Sequence, residues 1–295
     1  MTKTHKITLP IFRFILFTLI ALLIFGIGTV SGSDTSEMPA ENEKAVYLPI
    51  IMYHELKTHG VGKDVIYPYE FESDLKYYKS NKYTPITMNE LISYVCEGGT
   101  LPEKPVMLTF DDGYLSTYVY AFPLIKKYNM KIVLSIIGKN TDEFTRIPDN
   151  NINYSHVTWA QLNEMCTSGC VEVQNHSYNL HKNYKSRLGC KQFQNESDDK
   201  YEKVLTEDLN KLQDEITVST GTTPTTFAYP YGIYSKNTDT VLKKLGFKAT
   251  LSCNYGINTI TQNSDVLYRL KRICRAHNQP VGKLITEAYK TVIKR

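Results

Sequence analysis

The stretch "PVMLTFDDGY", residues 105–114, joins an apolar run to two adjacent carboxylates, Asp111 and Asp112. Residues 105–110 have no charged face, which is typical of a parallel strand that is covered on both sides. In folds built from such strands, functional side chains gather at the carboxyl ends of the strands. We therefore expect the fold to be organised around this strand and its functional site to lie where the two acids follow it.

Similar short apolar runs recur along the chain and alternate with segments of helical spacing. The predicted strands are residues 47–53, 105–110, 131–138, 171–174, 226–229, 248–252 and 267–273. Between two of them, apolar residues recur at helical spacing at Leu205, Leu209, Leu212 and Ile216. This alternation predicts an α/β fold, either a βα barrel or a doubly wound sheet. Residues 182–203 show neither period and predict a surface segment.

Residues 1–30 have the composition of an export segment. Three basic residues precede an uncharged apolar stretch, residues 14–30, which ends in small residues. Its length suits either a cleaved signal peptide or an N-terminal membrane anchor, and the basic residues on its amino side direct the rest of the chain outwards. Residues 31–45 are predicted to be a polar linker and residues 46–295 one large domain. We expect a protein that is secreted or anchored to the outer face of the cytoplasmic membrane.

The overall charge and the cysteines exclude some partners and leave others open. A net charge of +4 over 295 residues, with dispersed basic residues, argues against a nucleic-acid partner. The six cysteines have no zinc-knuckle spacing. Six cysteines in an exported chain can pair in many ways, so no particular disulfide is predicted.

Chemically reactive residues follow several predicted strands at the same relative position. These are His54, the pair Asp111 and Asp112, the histidines His176 and His181, and the turn "YPYG" at 229–232. A single residue of this kind commonly caps a helix or forms a turn. Their recurrence in strand order instead indicates one site, because the carboxyl ends of parallel strands share one edge of the sheet.

The spacing of the two histidines predicts a metal site on a loop. His176 and His181 are five positions apart, which on a helix would separate them by about 140°. On a loop, both imidazoles can bind one cation, and a carboxylate from a neighbouring strand completes the set and leaves positions open for water. Such ligands suit Zn²⁺, and also Co²⁺, Ni²⁺ or Mn²⁺, better than Ca²⁺ or Mg²⁺. The alternative is that the two histidines are polar loop residues without a ligand.

The adjacent carboxylates then have different tasks. Consecutive residues at a strand end point in different directions, so one can bind the metal while the other faces the substrate as a general base. A dication on one carboxylate also relieves the repulsion between the two. The nucleophile would be a water molecule whose pKa the metal lowers, and the free aspartate would take its proton.

Three segments together resemble a known family. "TFDDGY" (109–114), "NHSYNLH" (175–181) and "FAYPYG" (227–232) are similar, in this order, to the first three motifs of the polysaccharide deacetylases. The family consists of metal-dependent esterases that remove N- or O-acetyl groups from glycans on a distorted (β/α)7 barrel, and the resemblance spans residues 46–293. It implies that Asp111 is the catalytic base and that the metal ligands are Asp112, His176 and His181. It also implies that the backbone N–H of Tyr231 stabilises the oxyanion.

Three departures from the common family pattern resemble one branch of it, the exported poly-N-acetylglucosamine deacetylases. The histidines are five rather than four apart, the third motif lacks its initial arginine, and no clear Leu-His motif follows near the C-terminus. In that branch the general acid comes from a "YH" at the first strand, which implies His54. A histidine that titrates near neutrality can protonate a leaving amine. His277 is the alternative acid, and Arg272 is a candidate for the missing arginine.

Residues within the motif segments are predicted to bind the substrate. Aromatic faces stack on sugars, which favours Tyr114 and Tyr229, with Pro230 beside them. Asn175, which directly precedes His176, is a candidate to orient that metal ligand.

The predicted activity is metal-dependent hydrolysis of N-acetyl groups from an N-acetylglucosamine-containing cell-wall or surface polysaccharide, by a monomer. An O-acetyl esterase of the xylan type and a catalytically degenerate glycan-binding barrel are the alternatives. A barrel that only binds glycan has no need for the full set of two aspartates and two histidines. A phosphohydrolase or glycoside hydrolase is disfavoured, because the first commonly uses two metals and the second uses acids from different strands.

Overall fold

A computed structural model of the chain describes residues 45–184 and 187–293. These described residues form one compact unit. The predicted export segment, 1–30, and all but the last residue of the predicted linker, 31–45, lie outside the described residues. Within the described ranges, no helix has the length and apolar character needed to cross a membrane.

The described residues form short strands and helices in alternation. The strands are β1 (Val46–Leu48), β2 (Ile50–Tyr53), β3 (Glu55–Leu56), β4 (Val65–Ile66), β5 (Thr84–Pro85), β6 (Pro105–Phe110), β7 (Ile132–Ile136), β8 (Val171–Asn175), β9 (Asn183–Tyr184), β10 (Arg187–Leu188), β11 (Thr226–Ala228), β12 (Ala249–Leu251), β13 (Asn258–Ile260) and β14 (Ile273–Cys274). The α-helices are α1 (Pro68–Ser80), α2 (Met88–Cys96), α3 (Phe122–Tyr128), α4 (Gly138–Arg146), α5 (Trp159–Thr167), α6 (Asp198–Thr220), α7 (Thr238–Lys244) and α8 (Val281–Ile293).

Seven parallel strands curl into a distorted barrel. Their order is β12-β11-β8-β7-β6-β2-β14, and β5 pairs with β6 outside this path. A parallel bridge between Leu251 and Leu270 links the two edges of the sheet. The predicted (β/α)7 barrel is confirmed. Neighbouring parallel strands need a crossover connection, which is usually a helix.

The central strand β6 explains why its sequence is apolar throughout. Side chains alternate between the two faces of a strand, and here Val106, Leu108 and Phe110 pack with the surrounding helices while Met107 packs in a second cluster. That second cluster includes Leu91 of α2. Every β6 residue is buried. Full burial of a large apolar side chain contributes about 1.5–3 kcal/mol to the stability of the fold.

The strand register aligns the predicted site residues. Tyr53 of β2 pairs with Phe110 of β6, and Asn175 of β8 pairs with both Ile136 of β7 and Phe227 of β11. The residues that follow these paired positions therefore emerge at one edge of the barrel. This edge carries all the site residues that the sequence places at strand ends.

The prediction of a strand over 267–273 is wrong for most of its length. A 3-10 turn covers Ser264–Leu267, and only Ile273–Cys274 is paired as a strand. Arg269 has a φ of 60°, and the Asn258 side chain bonds both backbone groups of Lys271. These features redirect the chain before it joins the sheet.

The prediction of a surface segment over 182–203 is wrong at its end. Helix α6 begins at Asp198, and the Ser197 side chain caps it by accepting a hydrogen bond from the Lys200 N–H. A serine followed by two acids is a helix-start signal. It was missed because the apolar spacing becomes evident only from Leu205 onward.

Candidate active site

The sequence-predicted metal ligands lie together at the carboxyl edge of the barrel. Asp112 follows β6, and its Oδ1 lies 3.3 Å from His176 Nε2 and 3.2 Å from His181 Nε2. One ligand atom from each residue lies within 4.8 Å of the others. The two histidine rings, with centroids 5.0 Å apart, are brought together by an irregular loop after β8.

A backbone carbonyl sets the tautomer of His176. Its Nδ1–H donates to the Ala228 carbonyl oxygen at 2.7 Å. Since a neutral imidazole carries only one proton, Nε2 is left with a free lone pair towards Asp112. A hydrogen bond of this kind orients the imidazole ring of a metal-ligating histidine.

Hydrogen bonds of Asn175 stabilise the loop between the two histidines. Asn175 accepts a hydrogen bond from the Ser177 N–H at 2.8 Å and donates to the Leu209 carbonyl at 3.1 Å. Ser177 takes a left-handed φ of 76°. Asn175 therefore acts on the backbone after His176, and the His176 ring donates its hydrogen bond to the Ala228 carbonyl instead.

Asp208 of α6 also holds this loop, and the sequence analysis missed it. Its two carboxylate oxygens accept hydrogen bonds from the Tyr178 and Asn179 N–H groups, each at 2.8 Å. Burial raises the pKa of Asp208 to about 6, and the two N–H donors limit the rise. A signal was present, because Asp208 lies on the same helix face as the apolar residues Leu205 and Leu212.

The three ligand residues suit a divalent cation. Asp112 Oδ1 is buried and has no hydrogen-bond donor among the described residues, although the Nε2 atoms of His176 and His181 both approach it. Burial alone would raise the pKa of Asp112, but the imidazoles of His176, His181 and His54 hold it well below the usual range. Burial and the neighbouring His176 lower the pKa of His181 to about 4, so its lone pair is available at neutral pH.

Asp111 has a different environment from its neighbour. Both of its oxygens accept hydrogen bonds from the Arg272 guanidinium at 2.8 Å. The side chains are 3% and 0% exposed, and Arg272 Nε–H also donates to the Ser252 carbonyl at 2.8 Å. Burial would raise the pKa of Asp111, but Arg272 and then His176 lower it, so the carboxylate is ionised at neutral pH.

The structure separates the two candidate acids. His54 follows β2, and its ring contributes to the lowered pKa of both site aspartates. Its Nδ1 is buried and has no hydrogen-bond partner among the described residues. His277 instead bonds Glu70 through Nδ1 at 2.8 Å, and its ring contacts Tyr67. His54 is thus the histidine that lies with the two aspartates.

The predicted substrate-binding residues differ in accessibility. Tyr231 is 42% exposed, has a φ of 58°, and its ring lies 4.3 Å from that of His181. Tyr114 is partly buried two positions after Asp112. Tyr229 is fully buried and its hydroxyl bonds Asp239, so its ring is closed to a sugar. Pro230 is also buried.

The backbone after the acids depends on a glycine. Asp112 and Gly113 have φ values of 70° and 75°, which form a sharp turn at the strand end. A Cβ on Gly113 would lie 3.0 Å from Ile136 Cγ2. Glycine is therefore required here both for its conformation and for the close approach of β7.

Comparisons with known proteins agree with this geometry. Residues 98–250 match the family model described as polysaccharide deacetylase. The chain is 26% identical over 278 residues to poly-beta-1,6-N-acetyl-D-glucosamine N-deacetylase of Staphylococcus aureus. This alignment covers 87% of this chain and 90% of that protein.

Two solved structures are similar over most of their length. A de-N-acetylase from Aggregatibacter actinomycetemcomitans has a TM-score of 0.70 and 25% identity over 82% of this chain and 99% of its own. IcaB from Ammonifex degensii has a TM-score of 0.66 and 25% identity over 82% of this chain and 96% of its own.

Proposed function

Because the chain belongs to the polysaccharide deacetylase family, we propose that it hydrolyses N-acetyl groups from a poly-N-acetylglucosamine polymer. The choice of glycan and of N- over O-deacetylation is supported by the similarity to the Staphylococcus aureus enzyme, whose substrate is a polymer of this kind. We propose that the protein acts outside the cytoplasm, as its N-terminal composition predicts, and as a monomer.

The observation that carries the mechanism is the unequal environment of two neighbouring carboxylates. Asp111 is bound at both oxygens by Arg272, whereas Asp112 Oδ1 has two imidazole nitrogens nearby and no hydrogen-bond donor among the described residues. A buried carboxylate oxygen that faces imidazole lone pairs is unfavourable unless it is paired, and a cation between these atoms would pair it. The unequal contacts therefore support separate roles for the two acids.

Asp112, His176 and His181 would hold a divalent ion, for which Zn²⁺ is the proposed identity. When bound, the ion lowers the pKa of a water molecule and polarises the acetyl carbonyl. The lone pair of His181 is available because its pKa is low, and the hydrogen bond to the Ala228 carbonyl makes Nε2 the nitrogen that His176 presents to the ion.

Asp111 would take the proton from the attacking water. Arg272 keeps the carboxylate ionised and fixes its orientation through two parallel hydrogen bonds. It would thus supply the arginine that the third motif lacks, from the segment that directly precedes β14. A base fixed in this way contributes about 10²–10⁴-fold to the rate of proton transfer.

His54 and Tyr231 would act on the two ends of the breaking amide. His54 protonates the amine as it leaves, for which its unpartnered Nδ1 leaves the ring free of competing bonds. The backbone N–H of Tyr231, at a left-handed turn next to His181, would stabilise the negative charge that develops on the acetyl oxygen.

The test is acetate release by the full-length chain from β-1,6-linked N-acetylglucosamine oligomers. Acetate should appear, cease after treatment with a chelator, and return when Zn²⁺ is restored. Acetylated xylan oligomers provide the comparison, and we expect slower release from them. Oligomer binding without acetate release from either substrate would identify a glycan-binding barrel and refute the proposal.

A further inference from the structure

A column of aromatic rings extends outwards from the candidate active site. Tyr114 lies 4.7 Å from the His156 ring, His156 lies 5.6 Å from Phe144, and Phe144 lies 6.4 Å from Tyr154, measured between ring centroids. The planes of successive rings differ by 27–40°. No metal or catalytic role in the proposed reaction accounts for the three outer rings.

Backbone pairing attaches this column to the metal site. Tyr114 and His156 form an antiparallel bridge, the Val157 N–H donates to the Gly113 carbonyl at 2.9 Å, and the Leu115 N–H donates to the Ser155 carbonyl at 2.8 Å. The segment that carries the outer rings therefore runs directly along the residues after Asp112. The column is continuous with the site.

The outermost ring is exposed but fixed. Tyr154 is 52% exposed, and its hydroxyl donates to Asp149 Oδ2 at 2.5 Å. Its loop is also bound to the segment after β3, since Lys57 Nζ donates a hydrogen bond to the Asn153 carbonyl at 2.8 Å. A single exposed tyrosine is common in proteins. One that is held at its hydroxyl and supported by other rings is preorganised for a ligand, which lowers the entropy cost of binding.

The histidine in the column behaves as an aromatic ring rather than a charge. His156 Nε2 is 2.9 Å from Asn140 Nδ2, which donates to it. The imidazole is 9% exposed, and burial lowers its pKa below the usual value. At neutral pH it is therefore uncharged and can stack between Tyr114 and Phe144.

We propose that the exposed ring of Tyr154, supported by the other rings of the column, Tyr114, His156 and Phe144, is a subsite that binds a sugar unit of the polysaccharide beyond the unit being deacetylated. This inference rests on the proposed function. The apolar faces of pyranose rings suit aromatic rings, and the carboxylate and amide groups of the Asp149 loop suit sugar hydroxyls. A polymer held at Tyr154 would place the acetyl group of another unit at the site.

The test compares acetate release and binding across a length series of β-1,6-linked N-acetylglucosamine oligomers, from the disaccharide to the hexamer, with the full-length chain and Zn²⁺. In Tyr154→Ala we expect KM for the hexamer to rise about three- to tenfold, as for the loss of one aromatic contact. The kcat, the rate with the disaccharide and the affinity for Zn²⁺ should remain unchanged. Tyr154→Phe keeps the ring and should retain most of the wild-type KM.

Tyr47→Ala is the matched control. Tyr47 is 47% exposed and lies on β1, which precedes β2 at the amino end of the barrel. It should leave the length dependence unchanged. The inference is overturned if Tyr154→Ala and the wild type respond equally to oligomer length, or if Tyr154→Ala affects the disaccharide as much as the hexamer.

Calorimetric binding of the hexamer separates this inference from the proposed function. A wild type that binds the hexamer without releasing acetate, and that binds more weakly after Tyr154→Ala, would support the subsite and refute the deacetylase mechanism. Equal hexamer affinity of the two proteins would overturn the subsite whatever the activity.

Discussion

Replacement of Arg272 by methionine should destabilise the protein strongly. The Arg272 side chain is 0% exposed and binds both oxygens of Asp111, which is 3% exposed. Methionine has a similar length but carries no charge, so the substitution leaves a buried carboxylate without its partner. Breaking a buried pair in this way costs about 3–5 kcal/mol, which is a large share of a typical unfolding free energy of about 5–15 kcal/mol.

The contribution of the pair is measured by a double-mutant cycle. Asp111→Asn/Arg272→Met removes both charges, so the double variant should be more stable than Arg272→Met alone, with a coupling energy of about 2–3 kcal/mol. Arg272→Lys keeps the charge but loses the parallel pair of bonds, and its cost should lie between wild type and Arg272→Met. Any of these changes should also reduce acetate release, because Asp111 loses its fixed orientation.

The assay is urea-induced unfolding of the full-length proteins, followed by circular dichroism, with chelator present throughout. The chelator removes any difference in metal binding from the comparison. A cost below about 1 kcal/mol for Arg272→Met, or additive effects in the cycle, would refute the argument that the two side chains form a mutually dependent buried pair.

Three further variants test separate parts of the account. Asp208, whose pKa is raised to about 6, contributes stability that is complete below about pH 4 and is lost as the pH rises through about 6. Urea unfolding should therefore show that the unfolding free energy of Asp208→Asn changes by about 2–3 kcal/mol less across this pH range than that of the wild type. Gly113→Ala should lower the unfolding free energy by about 1–2 kcal/mol because of its left-handed φ and the contact with Ile136, and an unchanged urea midpoint would contradict this. His54→Gln should reduce acetate release from N-acetylglucosamine oligomers about 10²-fold or more, but should affect hydrolysis of 4-nitrophenyl acetate much less, since that leaving group needs no proton; equal losses would argue against His54 as the acid.

The sequence was most informative where local pattern and tertiary structure agree. The apolar run 105–110 is buried on both faces, so its composition alone indicated a central strand. The residues after it could then be placed at the barrel edge by register. At that edge the structure places Asp112 beside His176 and His181, which follow the strand β8.

The sequence was least informative where long-range contacts determine the structure. Asp208 contacts the histidine loop from a helix about thirty residues later, and only its place on an apolar helix face distinguishes it. The pairing of Arg272 with Asp111 spans 161 positions, so the sequence offered Arg272 only as a candidate. The burial of Tyr229 depends on its contacts with Asp239 and Phe227, which no local pattern records.

The proposed roles of Asp111 and Asp112 differ, and measuring both Zn²⁺ affinity and acetate release in one variant of each residue separates them. Asp111→Asn should bind Zn²⁺ with nearly wild-type affinity and release acetate about 10²–10⁴-fold more slowly. Asp112→Asn should lose most of its Zn²⁺ affinity and, with it, activity. Loss of Zn²⁺ binding in Asp111→Asn together with retained binding in Asp112→Asn would contradict this division of roles.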